Sequence, residues 1–206
     1  MAITTYSELQ SAIADWLLRT DLTSVIPSFI DLAEAKFNRR IRDYRMVTRT
    51  SITVDAQYED VPTDWLENVR FQLETSPITT LEYVTPDQAA EEERLHSSNG
   101  RPLFFTMIGE QFQIIPSPDT TYSATLTYYA KIPALSDSNT TNWLLTTAPD
   151  LYLYGTLMEA APYLDDDQRI QTWGSLYEQG MNALQIESDR AKVGSSSIRM
   201  RAKAMA

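Results

Sequence analysis

The run from Leu151 to Leu164, "LYLYGTLMEAAPYL", limits the possible folds more than any other part of this 206-residue chain. Almost every side chain in it is apolar or aromatic, so a helix built from it has no polar face. The run is too long for an ordinary strand, and the preceding Thr147-Ala-Pro-Asp150 is typical of a helix start. We therefore predict a buried helix over residues 148–163, which the rest of the chain has to cover.

The overall composition is that of a folded domain. The chain is 43% hydrophobic and 22% charged, with a formal net charge of −11. It contains no cysteine, which excludes disulfides, thiolate metal sites and cysteine nucleophiles. No run approaches the roughly 18 uncharged apolar residues of a membrane span, and the first ten residues do not resemble a signal peptide. We expect a cytosolic product that contacts no membrane.

Positive charge is concentrated in two segments. Residues 36–49 carry six basic residues against Asp43, and residues 190–206 carry five basic residues and no acid, which leaves the remaining chain at about −21. Such an acidic body is repelled by nucleic acid, because binding there depends on cations that meet phosphates. The two basic segments therefore indicate protein partners or contacts between copies.

Two amphipathic helices are predicted near the N-terminus. The first begins after Thr5 or Ser7 as N-cap, and the second begins near Ser24, with Pro27 tolerated in its first turn. Each has one apolar stripe at helical spacing. The stripes consist of Leu9, Ala12, Ile13, Trp16 and Leu17 in the first helix, and of Phe29, Ile30, Ala33, Phe37 and Ile41 in the second.

From about residue 47 the apolar pattern becomes alternating, which is typical of strands. We predict strands within 47–58, 69–73, 76–84 and 121–131, and a hairpin over 101–118 that turns at Gly109-Glu110. A short acidic helix begins at Thr85-Pro86. We infer an antiparallel sheet.

The C-terminal part is predicted to be an αα-hairpin. A loop over 132–142 leads to the apolar helix, and a second helix over 166–193 follows, capped by Asp165. The second helix has an apolar stripe of Ile170, Trp173, Tyr177, Met181, Leu184 and Ala191. This helix and the N-terminal pair can cover three sides of the apolar helix. We expect its fourth side to stay open for a partner, such as a ring of identical subunits.

The predicted fold class is therefore α+β, with a helical bundle formed by the N- and C-terminal helices, an inserted antiparallel β-sheet region and an extended C-terminal tail. We place the N-terminal helices at 1–46, the β region at 47–133, the C-terminal αα-hairpin at 134–194 and the basic tail at 195–206. The tail has few bulky apolar residues and so cannot order itself by burying a core. We expect it to order when it docks on a partner.

Taken together, these segments resemble the tailed-bacteriophage head-to-tail adaptor proteins, also called head completion or tail accessory proteins. The similarity rests on "VIPSFIDLAEAKFNRRIR" at 25–42, "VPTDW" at 61–65, "FQIIPSP" ending at Pro118, the block 128–167 and the basic segment after Gly194. In the block, a polar loop, Asn-Trp-Leu-Leu and Pro-Asp-Leu-Tyr-Leu-Tyr-Gly follow in that order. The similarity covers nearly the whole chain, but its motifs are packing and turn residues, and none is a catalytic fingerprint.

The resemblance implies a structural virion protein at the head-tail interface, made in the host cytoplasm, with no enzymatic role, cofactor or metal. It implies a twelve-copy ring that docks on the portal protein through the helical bundle and the tail. The other end of the ring would meet a tail tube or nozzle protein, and the genome DNA would pass through an acidic lumen without specific binding. The hypothetical portal-binding residues are Ile198, Arg199, Met200, Arg201 and Lys203. The hypothetical bundle or subunit contacts are Leu151, Leu153, Leu157, Leu164, Trp173 and Tyr177.

Two other function classes stay open. The Tyr-rich strands are compatible with a β-rich sugar- or receptor-binding module, in which Trp143 would be a sugar platform instead of a core residue. A small carboxylate-dependent hydrolase would need a pair such as Asp64 with Glu67, or Glu110 with Asp119, in a cleft with a raised pKa.

Two polar features are explained without function. His96 follows "EEERL" and is predicted to be a solvated helix residue, because no serine-histidine-acid arrangement can be traced around it. The three acids at 165–167 fit capping and dipole effects at a helix start better than a cation site.

Overall fold

The computed structural model describes residues 3–164 and 168–193. It divides the chain into two compact units, a helical unit of Met1–Arg45 with Ile132–Ala206 and a β unit of Met46–Lys131. The predicted α+β class is confirmed. The extended tail predicted for 195–206 lies outside the described residues.

The elements follow the order expected from the sequence. The helices are α1 (Tyr6–Leu17), α2 (Ile26–Arg40), α3 (Pro86–Leu95), α4 (Trp143–Thr147), α5 (Pro149–Glu159) and α6 (Arg169–Val193). The strands are β1 (Val47–Val54), β2 (Tyr58–Asp60), β3 (Trp65–Leu73), β4 (Thr79–Thr80), β5 (Glu82–Tyr83), β6 (Phe104–Ile108), β7 (Gln111–Ile115) and β8 (Tyr122–Ala130). Single turns of 3-10 helix lie at Tyr44–Met46 and Ala161–Tyr163.

The N-cap residues of the helices can be compared with those predicted from the sequence. Thr5 caps α1, and Glu8 completes a capping box by accepting from the Thr5 backbone N–H at 3.0 Å. Thr85 caps α3 in the same way, with Gln88 as its partner. In α2, however, Val25 and not Ser24 is the N-cap residue, and Pro27 lies in the first turn as predicted.

The apolar segment is divided into more pieces than predicted. The single helix over 148–163 is wrong at its end, because α5 stops at Glu159 and a 3-10 turn follows. A separate helix, α4, precedes it where no helix was predicted. Asn142 caps α4 by accepting from the Leu145 N–H at 2.8 Å, and the non-helical backbone at Ala148, with φ −139° and ψ 67°, separates α4 from α5.

Four helices of the helical unit cover α5. Helices α1, α2, α4 and α6 all pack against it, and no residue from Leu151 to Ala160 is exposed. The expectation of an open fourth side is therefore wrong for this stretch, because α4, which was not predicted, adds to the cover that was expected from α1, α2 and α6. The predicted stripe of α2 is buried throughout.

Two stripe residues are misassigned. Trp16 is partly exposed and contacts the edge of Tyr154, with 5.8 Å between ring centroids. In α6, Ala191 is exposed, and Ser188 is buried instead. Ser188 occupies the buried position because its hydroxyl accepts from the Tyr44 backbone N–H at 3.1 Å.

The β unit contains two four-stranded sheets, ordered β1-β8-β3-β4 and β2-β7-β6-β5. All pairs are antiparallel, as inferred, except β5 with β6, which is parallel. The hairpin β6–β7 turns at Gly109-Glu110 as predicted, with Gly109 at φ 62°, a conformation that favours glycine. Both sheets contribute to one core, in which Phe71, Phe105 and Phe112 contact one another at centroid distances of 5.3–5.8 Å.

Candidate interaction surfaces

The hypothetical bundle or subunit contacts lie mostly inside the helical unit of one chain. Five of the six are buried, namely Leu151, Leu153 and Leu157 on α5, and Trp173 and Tyr177 on α6. Leu164 is half-buried. Surfaces available to another subunit must therefore be sought elsewhere on this unit.

Exposed apolar residues of the helical unit lie at other positions. Leu18, just after α1, is 82% exposed, and Leu32 on α2 is 52% exposed. Tyr163, in the 3-10 turn after α5, is also more than half exposed and contacts the edge of Phe29 at a centroid distance of 5.0 Å. The sequence alone did not mark these residues as contacts, because isolated exposed apolar residues are common on protein surfaces.

A groove of about 460 Å³ runs between α2 and α6 over the middle of α5. Gly155 lies at its floor, where a Cβ atom would come within 2.9 Å of the Phe37 ring. The rings of Phe37 and Tyr177 stack there at 6.3 Å between centroids, with an interplanar angle of 24°. The absence of a side chain at Gly155 is thus what lets α2, α5 and α6 approach one another.

Acids of α5 and α6 neutralise much of the basic segment 36–49. Lys36 forms an ion pair with Glu159, and Arg40 forms a bidentate pair with Glu178. Arg45 contacts both Glu187 and Asp43, a carboxylate that is almost fully buried. Three of the six cations in this segment therefore already have a carboxylate partner within their own chain.

A buried polar network holds the loop before α4 against α2. Glu34 is buried, and its Oε1 accepts from the Leu135 backbone N–H at 2.9 Å and from the Tyr152 hydroxyl at 3.0 Å. Asn142 donates through Nδ2 to the Tyr152 oxygen at 2.6 Å and to the Pro133 carbonyl at 2.7 Å. These bonds join α2, α5 and the loop into one rigid group.

Burial changes the proton affinity of this network. It raises the pKa of Glu34, because within the described residues no cation pairs with the carboxylate. Burial and the neighbouring Glu34 raise the pKa of Tyr152 far above its ordinary value. The sequence analysis missed this buried carboxylate, although Glu34 falls within the apolar stripe of α2.

The β unit has an open cleft of about 840 Å³ next to the tip of the β6–β7 hairpin. We call it the acidic cleft. It lies between the loop that follows β2 and the hairpin tip, and the Val61 backbone N–H donates to the Glu110 carbonyl at 3.1 Å across it. Its apolar side chains are Pro62, Trp65, Met107 and Ile108, and its acids are Asp60 and Glu110.

The charge of this cleft is unbalanced. Asp60 accepts one hydrogen bond, from Gln111 Nε2 at 2.8 Å, and both acids of the cleft are exposed. Lys131 also lines it and donates through Nζ to the Thr63 carbonyl at 2.9 Å. The charged side chains that line the cleft are therefore two acids, Asp60 and Glu110, and one base, Lys131. The cleft therefore favours a cationic and partly apolar occupant.

Two of the four carboxylates considered for a hydrolase accept a hydrogen bond from a tyrosine. Asp64 accepts from the Tyr128 hydroxyl at 2.9 Å, and burial together with this bond raises the pKa of Tyr128 to about 12. Asp119 accepts from the Tyr122 hydroxyl at 2.6 Å. Glu110 is exposed in the hairpin turn, and Glu67 is exposed on β3.

Two of the remaining candidates, His96 and Trp143, each contact a side chain of their own chain. His96 ends α3, half-exposed, with Nδ1 at 3.5 Å from Glu92. Trp143 is half-buried at the start of α4, below the Arg45 guanidinium at 5.8 Å. The three acids at 165–167 and the hypothetical portal-binding residues 198–203 lie outside the described residues.

Within residues 3–164 and 168–193, no three His, Asp or Glu side chains come together in a way that could hold a metal ion. None of the helices in these ranges is long and apolar enough to cross a lipid bilayer.

Comparison with known families gives a match over almost the whole chain. The family model described as SU10 adaptor protein matches residues 4–201, which includes both units and the first part of the basic tail. A search of curated proteins gave no match. The family match agrees with the resemblance that the sequence motifs indicated.

Proposed function

This chain belongs to the SU10 adaptor protein family, a phage head-tail adaptor family, and from that premise we propose that it forms a ring joining the capsid portal to the tail. The family implies a structural virion component and a non-enzymatic role. The observation that carries the proposal is the match over residues 4–201, since it takes in the helical unit, the β unit and part of the tail. By resemblance the ring has twelve copies.

The helical unit supplies the surface that would meet the portal. Because α5 is covered within one chain, the candidates for contact are the exposed apolar side chains Leu18, Leu32 and Tyr163. The tail would add Ile198, Arg199, Met200, Arg201 and Lys203. In an extended segment, alternate side chains point to opposite sides, which suits a groove with an apolar floor and acidic walls between portal subunits.

The opposite end of the ring would meet a tail tube or nozzle protein, and the genome would pass through the lumen. DNA passage without binding requires that cations do not face the phosphates freely. The ion pairs of Lys36, Arg40 and Arg45 support this, because each of these cations already has a carboxylate partner in its own chain. A lumen wall with net negative charge would repel the DNA phosphates, so the DNA could slide through without binding.

Electron microscopy of the chain mixed with a candidate portal tests the proposal. We expect a symmetric ring at the portal's narrow end with the wild-type chain. The double variant Arg199→Glu, Arg201→Glu should keep the wild-type melting temperature and lose portal binding. A matched control, Arg94→Glu with Arg101→Glu on exposed positions of the β unit, changes the net charge equally and should bind as the wild type does.

Two outcomes would contradict parts of this proposal. If the tail variant binds the portal with undiminished affinity, the docking surface lies on the helical unit alone. If no ring forms with any portal tested and the chain stays monomeric, the proposed ring is wrong.

A further inference from the structure

The acidic cleft of the β unit matches the chemistry of the chain's own tail. The cleft offers apolar contact through Pro62, Met107 and Ile108, next to the exposed carboxylates of Asp60 and Glu110. Residues 194–206 contain three cations and no acid, interleaved with bulky apolar side chains. The apolar side chains and the carboxylates of the cleft thus have counterparts in the tail, and Lys131, which also lines the cleft, donates to the Thr63 carbonyl.

We propose that in the free protein the tail of one copy lies in the acidic cleft of another copy. Ile198 and Met200 would cover the apolar side chains, and Arg199 and Arg201 would pair with Asp60 and Glu110. Guanidinium groups suit this role because they bind carboxylates through two parallel hydrogen bonds. The tail gains an ordered site that it cannot make by itself.

The length of the tail allows this exchange. The last described residue is Val193, at the end of α6, and thirteen residues follow it. Arg201 is the eighth of them, and eight fully extended residues reach roughly 26 Å. A contact in which the tail of each copy enters the cleft of the next is heterologous, and such contacts close into rings or grow into open chains.

The cleft and the portal would compete for the same tail side chains. A copy whose tail lies in a neighbour's cleft has to release it before docking, so the cleft contact belongs to the stage before the portal is engaged. The inference uses the proposed function only for this order of events. The contact itself can be tested without a portal.

The test mixes two full-length variants with opposite charge reversals. One carries Asp60→Lys and Glu110→Lys in the cleft, and the other carries Arg199→Glu and Arg201→Glu in the tail. Alone, each variant presents a tail and a cleft of the same sign, so neither should self-associate. Mixed, each tail meets a cleft of opposite sign, and association should return.

General charge attraction cannot produce this pattern. Each substitution changes the formal charge by two, so the wild-type −11 becomes −7 in the cleft variant and −15 in the tail variant. Two proteins with these net charges repel each other. Sedimentation velocity across a range of concentrations measures the association, and the melting temperature of each variant confirms that it is folded.

A matched control places the same charge change outside the cleft. Glu82→Lys with Asp87→Lys changes two exposed acids of the β unit, and this variant should self-associate like the wild type. We expect the reversals in the cleft or the tail to weaken self-association at least about tenfold, as the loss of two ion pairs and the gain of two repulsions imply. The inference is overturned if the mixture stays monomeric, or if either single variant associates as strongly as the wild type.

Discussion

Replacing Gly155 with alanine tests the close packing at the centre of the helical unit. A Cβ atom at Gly155 would lie 2.9 Å from Cζ and 3.1 Å from Cε1 of Phe37, and 3.4 Å from Cε2 of Tyr177. Both rings are buried, so neither can move away without disturbing its neighbours. Such overpacking costs about 1–3 kcal/mol. Alanine also favours a helix over glycine by about 1 kcal/mol, which leaves a net loss of up to roughly 2 kcal/mol.

Gly174 on α6 provides the matched control. A Cβ atom there would lie 3.8 Å from Cε of Met158, which is ordinary van der Waals contact. Gly174→Ala should therefore stabilise the chain by about 1 kcal/mol through helix propensity alone. The two variants have the same chemical change, and their free energies of unfolding should differ by about 1–3 kcal/mol.

Urea unfolding followed by circular dichroism at 222 nm gives the comparison. With typical m-values, the midpoints of the two variants should differ by roughly 0.5–1 M, with Gly174→Ala the more stable. If Gly155→Ala were as stable as Gly174→Ala, the Phe37 and Tyr177 rings would not pack against Gly155. The groove floor and the convergence of α2, α5 and α6 would then be wrong.

Three further substitutions have defined outcomes. Leu157→Ala, at a fully buried position, should lower the free energy of unfolding by about 2–5 kcal/mol, whereas Leu32→Ala should change it by less than about 0.5 kcal/mol; equal effects in thermal melts would mean that the phase of α5 is wrong. Glu34→Gln should raise stability at neutral pH, because the amide still accepts both hydrogen bonds and no charge is buried. The pKa of Glu34 is raised in the folded wild type, so the protonated carboxyl contributes stability below the ordinary carboxyl pKa. That contribution is lost as the pH rises through the folded pKa. A plot of urea midpoint against pH should therefore be flatter for Glu34→Gln than for the wild type. Tyr128→Phe should remove one phenol that titrates at about pH 12 in an ultraviolet titration. The wild type should lose stability as the pH rises from the ordinary tyrosine pKa of about 10 to about 12, and the variant should lack this loss.

The features predicted well from the sequence depend on neighbouring residues. The stripe of α2, the capping of α1 by Thr5 and of α3 by Thr85, and the hairpin turn at Gly109 were all correct. Each depends on residues a few positions apart, and these interactions form the same way wherever the segment lies in the fold.

The missed features depend on residues that are far apart in the chain. Glu34 is tolerated in an apolar stripe because Leu135 and Tyr152, more than 100 residues later, donate to it. The start of α4 depends on Asn142, whose side chain accepts from the Leu145 N–H of α4 and donates to the Tyr152 hydroxyl oxygen of α5. Periodicity cannot reveal such bonds, because it contains no information on which distant segment meets which.

A count of charges along the sequence has the same limit, because it does not show which acids and bases meet in the fold. Segments 36–49 and 190–206 have equal formal charge in the sequence, yet Lys36, Arg40 and Arg45 of the first segment are paired with acids of α5 and α6. The partner acids on α5 and α6 are more than 120 residues away, so a count over the segment does not include them. The positive charge of segment 36–49 is therefore partly neutralised within the chain. Reversing Arg199 and Arg201 then separates the two proposals, because self-association is measured with the chain alone and portal binding with the portal added.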